Sequence, residues 1–127
     1  MADDVSDDAV RRANGSFYAA LERADLDLML ELWSKSPDVS CAHPGRKPLV
    51  GWADVMASWR LIFQSGGNPQ VIVTDEVLVR RGPTAWVTVT ENLLSGGAAS
   101  AASALNVFHH TGDRWEMMAH HATPVLV

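Results

Sequence analysis

The chain has one cysteine, Cys41, and one tyrosine, Tyr18. A single thiol excludes an intramolecular disulfide and fits a reducing compartment. Positive charge is scarce: 10 Lys and Arg stand against 15 Asp and Glu, leaving a formal charge of −5. A basic face for nucleic acid or anionic lipid is therefore not expected, and Arg46-Lys47 and Arg80-Arg81 are too short to be patches. No apolar run approaches the roughly 20 residues of a membrane-spanning helix. The opening residues, Met-Ala-Asp-Asp-Val-Ser-Asp-Asp, lack the basic and apolar regions of a secretory signal. The expectation is a cytoplasmic protein with no nucleic-acid and no membrane partner.

What is present is ordinary globular composition: 127 residues, 47% hydrophobic and 20% charged. A single domain over 1–127 is expected, with residues 1–5 loose. Ser6 is placed to cap a helix, and Val10, Ala13, Phe17, Leu21 and Ala24 make its apolar stripe. Asp25 starts a second helix carrying Leu28, Met29, Leu32 and Trp33, which stops before Pro37. Asp38–His43 reads as a short strand, followed by a turn at Pro44-Gly45. Gly51 opens a third helix with Trp52, Val55, Met56, Trp59 and Phe63 on one face, and the run from Ser65 to Pro69 ends it. From Gln70 the apolar period changes to two. Four strands follow, with turns at Gly82-Pro83, in the Gly-rich segment from Ser95 to Ser100, and at Gly112-Asp113. Helices segregated before strands predict an α+β fold with a curved, mostly antiparallel sheet of four to five strands. A helix laid across such a sheet leaves a cone with an internal pocket.

This order of elements resembles the nuclear transport factor two-like superfamily, and within it the SnoaL-like branch. The residues that carry the resemblance include Ala24-Asp25-Leu26-Asp27, Leu32-Trp33, His43-Pro44-Gly45, Gly51-Trp52, Ser58-Trp59, Ala85-Trp86-Val87-Thr88 and Trp115. The chain then closes on His121-Ala122-Thr123-Pro124, where relatives often have His-Ala-Ser-Pro. The resemblance implies a cystatin-like α+β cone. Relatives include isomerases, cyclases, dehydratases, hydrolases and association domains, so it does not select a function. The ketosteroid isomerases of the superfamily need a strand aspartate, a tyrosine and a protonated aspartate. Here the only tyrosine lies on the first helix, which counts against that chemistry.

Among candidate chemical groups the histidines come first. A hairpin centred on Gly112-Asp113 pairs His110 with Trp115, Asn106 with Ala119 and Ala104 with His121. Asn106, Phe108, His110, Trp115, Met117 and His121 then share one face, and a shift of one residue reassigns the partners. Adjacent histidines point to opposite faces, so His109-His110 and His120-His121 do not converge on a metal, and none is expected. The resemblance singles out His121 as the pocket histidine, a hydrogen-bond donor or general acid–base group. Its plainer role is a strand histidine bonded to a carbonyl or to Thr123. Glu91 is the one acid in a Thr/Val-rich strand. Turned inward it is desolvated and becomes a candidate base; turned outward it is a surface carboxylate. His43 sits at the expected rim of the cone, as a mouth residue or a turn stabiliser. Trp52, Trp59, Phe63 and Phe108 are apolar wall candidates that double as core. Cys41 and His43, two apart on a strand, share a face, but a small buried cysteine is the commoner outcome.

The leading expectation is binding of a small, largely apolar molecule, with His43, Asn106 and His121 as polar contacts and Trp52, Trp59, Phe63 and Phe108 as walls. The alternative is a lyase or isomerase that needs no cofactor and transfers protons through His121 or Glu91. A third reading is a homo-oligomerisation module with a vestigial cavity. A homodimer through the sheet is expected in each case.

Overall fold

The computed structural model describes residues 5–66 and 69–126. Helix α1 (Asp7–Arg23) is capped by Ser6, whose side chain accepts from the Ala9 N–H, and Asp7 and Asp8 occupy its first turn. Ala24 adopts the left-handed conformation at the C-terminal end, φ 52°, and turns the chain into α2 (Leu26–Leu32). Asp25 caps α2 by accepting from the Leu28 N–H. Both expected caps are therefore in place. The expected loose segment 1–5 lies, except for Val5, outside the described residues, as do Gly67 and Asn68 of the segment that ends the third helix.

Strand β1 (Ser40–Ala42) and the two-residue β2 (Leu49–Val50) bracket the Pro44-Gly45 turn. Helix α3 (Trp52–Gln64) follows, then four long strands: β3 (Gln70–Arg81), β4 (Thr84–Ser95), β5 (Ala98–His110) and β6 (Trp115–Pro124). They form one six-stranded sheet in the order β2-β1-β6-β5-β4-β3. Among these described strands the β1–β6 pair is parallel and the other pairs are antiparallel. The α+β class and the element order are as the sequence predicts. The strand count is six because Leu49 and Val50 pair with Cys41 and Ser40, too short a ladder to show as alternation.

The three helices cover one face of the sheet. Val10, Phe17 and Ala20 of α1, Met29 of α2, and Val55 and Trp59 of α3 meet Ala85, Val87, Val89, Ala104, Phe108 and Met117 of the strands in one buried cluster. Burial of a side chain such as Phe17 or Met29 contributes roughly 1.5–3 kcal/mol. On β4 the buried positions are odd-numbered (Ala85, Val87, Val89, Glu91), and on β5 they are even-numbered (Ala102 to His110). This alternation marks the inner face and puts Glu91 on it.

The register of β6 differs from the simple hairpin. His110 pairs with Trp115 and Phe108 with Met117, but Val107 pairs with Ala119. Met118 is thus an extra residue on β6, a β-bulge. Beyond it every partner moves by one: Asn106 faces His120, and Leu105 faces His121. The expectation that His121 shares the inner face with Asn106 is corrected here. The bulge inverts the parity of the strand, and His120 takes that place.

Candidate functional site

A chain of polar side chains runs through the interior between α1 and the sheet. Asn14 and Tyr18 are one helical turn apart on α1 and both are buried. The Tyr18 hydroxyl donates to Glu91 Oε2 at 2.7 Å. Asn106 Nδ2 donates to Asn14 Oδ1 at 2.9 Å and to the Tyr18 hydroxyl at 3.0 Å. Asn106 Oδ1 lies 2.6 Å from His120 Nδ1. Because Asn106 Oδ1 can only accept, His120 Nδ1 carries the hydrogen and Nε2 is the bare nitrogen of the neutral ring. That Nε2 stands 3.9 Å from Glu91 Oε2.

Burial pushes every titratable group of this chain toward its neutral form. Desolvation raises the Glu91 carboxyl, opposed by the hydrogen bond from Tyr18. It also raises the Tyr18 hydroxyl, with the Glu91 charge adding to the effect. It lowers His120 to about 3, and His43 and His121 reinforce that shift. The approach of His120 to Glu91 is therefore a contact between a neutral imidazole and a carboxyl held toward its acid form, and not an ion pair of the ordinary kind. Cys41, beside His120 across the β1–β6 ladder, is pushed up to about 12, first by burial and then by Glu91. It is not a thiolate at neutral pH.

The aromatic side of the site belongs to α1 and α3. Trp59 is 4.7 Å from the His43 ring, 5.7 Å from Phe17, 5.8 Å from Phe63 and 6.0 Å from His120, centre to centre. Its indole N–H is buried and has no hydrogen-bond partner among the described residues, an arrangement that proteins avoid. His43 Nε2 is 2.9 Å from Ser58 Oγ and 3.8 Å from Cys41 Sγ. Ser58 spends its one hydrogen on the Val55 carbonyl, so His43 Nε2–H is the donor in that pair. Burial, and then Arg46, lower the His43 pKa and keep the ring neutral.

Outside His43 a cleft of about 540 Å³ opens between the β1–β2 turn and α3, lined by His43, Arg46, Leu49, Ser58, Leu61 and Ile62 among others. A larger hollow, about 690 Å³, lies at the far ends of β4, β5 and β6 near Leu94, Ala99 and Pro124. It includes no residue of the polar chain, and its wall is partly the exposed Leu126. The His43 cleft is the better candidate because His43 links it to Trp59 and Cys41.

The candidates read from sequence therefore divide. His43, Trp59, Phe63, Glu91 and Asn106 lie within the linked cluster. Phe108, on the inner face beside Ala85 and Met117, is core. Trp52 stands at the start of α3 with Lys35 Nζ 5.9 Å over its ring, and no aromatic contact joins it to Trp59. His121 lies on the other face of β6, 2.9 Å from Ser40 Oγ. Asn14, Tyr18 and His120 were missed. The i, i+4 spacing of Asn14 and Tyr18 along the apolar stripe of α1 was the available signal; for His120, hidden behind the bulge, there was none. Among the described residues no group of three or more His, Cys, Asp or Glu is placed to hold a metal ion.

Comparison with known proteins places this architecture. The model of the SnoaL-like domain matches residues 10–126. The chain belongs to the SnoaL-like family. This is the SnoaL-like branch of the nuclear transport factor two-like superfamily that the sequence resembled. A structure from Streptomyces avermitilis, named as a candidate dehydratase of the NTF2-like family, is 39% identical, covering 94% of this chain and 96% of that one, with a TM-score of 0.88. A second, from Thiobacillus denitrificans, is named as a candidate calcium/calmodulin-dependent protein kinase type II association domain. It is 36% identical over 90% of this chain and 93% of its own, with a TM-score of 0.83. The F-box protein SKIP8 of Arabidopsis thaliana is 30% identical over 122 residues, 94% of this SnoaL-like chain. The chain spans 51% of that protein's length. No helix among the described residues is long and apolar enough to cross a membrane.

Proposed function

We propose that this SnoaL-like domain binds a small, largely apolar molecule in the cleft beside His43. The observation that carries the reading is the direct contact of the cleft with the buried cluster: His43 lines the 540 Å³ cleft and touches Trp59, whose buried N–H has no partner. A cavity of this size, mostly apolar with a few convergent polar groups, is of the kind that takes small ligands.

A second reading is proton-transfer chemistry in the same place, as in a lyase. It draws support from the neutral His43 ring and the desolvated Glu91, and from the Streptomyces avermitilis relative named as a candidate dehydratase. In that reading His43, at the cleft wall, replaces His121 as the base, with Glu91 further inside.

The domain acts as a cytoplasmic homodimer joined through the outer face of the sheet. Leu105 and Val77 stand exposed there, and the Thiobacillus denitrificans relative is named as a candidate association domain.

Native mass spectrometry of the purified protein, before and after denaturation, tests the binding reading. A dimer that releases a small molecule on unfolding is expected. A bare protein whose tryptophan emission fails to respond to a panel of apolar ligands overturns it.

A further inference from the structure

The walls of the His43 cleft carry two chemistries on opposite sides. Leu61 is 68% exposed and Ile62 36% exposed on α3, and Leu49 flanks them from β2. Facing them, the β1–β2 turn brings Arg46 and Lys47 to the lip. In a chain of formal net charge −5, this cleft is lined by two adjacent cations and, among the described residues, no carboxylate. Arg11 lies against Asp8 and Glu76, Arg80 against Asp7, and Arg114 against Glu31 and Glu116. Arg46 and Lys47 have no carboxylate partner among the described residues, yet they are adjacent and border the same cleft.

The back of the cleft offers an anion nothing. The His43 ring is neutral, and its single N–H is committed to Ser58 Oγ. Ser65 likewise donates its hydroxyl to the Ile62 carbonyl. A negative group entering the cleft is therefore held at the lip, where the two cations are, while an apolar body lies along Leu49, Leu61 and Ile62.

We propose that the cleft is selective for an apolar acid: a hydrocarbon body ending in one carboxylate-like anion, the anion at Arg46 and Lys47 and the body against α3. This specificity rests on the binding reading above and adds the class of ligand to it.

The test is isothermal titration of the intact protein with decanoate and, in parallel, 1-decanol, which share a chain and differ in charge. Decanoate is expected to bind about tenfold tighter than 1-decanol, the worth of one charge-assisted contact. That preference shrinks as salt is raised. The Arg46→Ala/Lys47→Ala double variant abolishes the preference by weakening decanoate alone; both residues are exposed, so the fold does not depend on them. Leu61→Ser weakens both ligands. Equal affinity of the unaltered protein for the two overturns the selectivity, and a preference that survives the double variant overturns its placement at Arg46 and Lys47; either leaves apolar binding standing. Absence of binding by either ligand overturns the selectivity, and native mass spectrometry then judges the binding reading separately.

Discussion

Asn106 Oδ1 faces His120 Nδ1 at 2.6 Å, with both residues buried on the inner face of the sheet. This pair sets the tautomer of the histidine. Asn106 gives its amide hydrogens to Asn14 and Tyr18, so its oxygen is left to accept. Nitrogen-15 NMR at neutral pH is expected to show His120 as the neutral Nδ1–H form, with Nε2 unprotonated. Its pKa is lowered to about 3. The folded state therefore binds this proton less readily than the unfolded chain, and stability falls as pH drops below about 6.5 toward 3. His120→Gln removes that part of the acid sensitivity. An Nε2–H ring, or an unchanged pH profile in the variant, refutes the assignment.

Glu91 acts in the opposite sense. Its folded pKa is raised by burial, so its contribution to stability is complete below the ordinary carboxylate range and is lost as pH rises through the raised value. Glu91→Gln keeps an acceptor for the Tyr18 hydroxyl and removes the ionisation. The variant is expected to gain stability relative to the unaltered protein as pH rises from about 4.5, the carboxyl's ordinary range. Urea midpoints at several pH values measure this. A gap that stays constant with pH shows that Glu91 does not titrate in that window.

Leu105 tests the dimer. It lies on the outer sheet face opposite His121 and Thr88, and is 40% exposed. Leu105→Lys leaves the inner face untouched and places like charges together across a two-fold contact. Sedimentation equilibrium is expected to show a monomer with an unchanged circular dichroism spectrum. A dimer of undiminished affinity puts the interface elsewhere.

Gly51 isolates a backbone effect. It caps the N-terminal end of α3 at φ 96° and ψ 144°, and a Cβ there meets nothing nearer than the Pro37 carbonyl at 3.9 Å. Space is available, so Gly51→Ala costs only conformational strain, about 1–3 kcal/mol. The loss is read from chemical denaturation. It also loosens the helix that carries Ser58, Trp59 and Leu61, so ligand affinity is expected to fall with it.

How far the sequence reaches is plain from particular residues. Ser6 and Asp25 marked helix starts because a capping oxygen acts on N–H groups two or three residues away. The stripe of Val55, Met56 and Trp59 fixed the buried face of α3 because helical period depends on local geometry alone. The β4 strand put Glu91 with Val87 and Val89 for the same local reason, although parity could not say which face was inner. Tertiary structure decided the rest. The bulge at Met118 is one unpaired residue with no composition of its own; it exchanged His121 for His120 and changed the histidine on the inner face. The meeting of Tyr18 with Glu91 spans 73 positions, and that of Asn14 with Asn106 spans 92. The sequence by itself determined the elements, their order and their apolar faces, which depend on neighbours along the chain. Which polar groups meet, and which are stripped of water, depends on how α1 lies against β4 and β5, and that is a property of the packed fold.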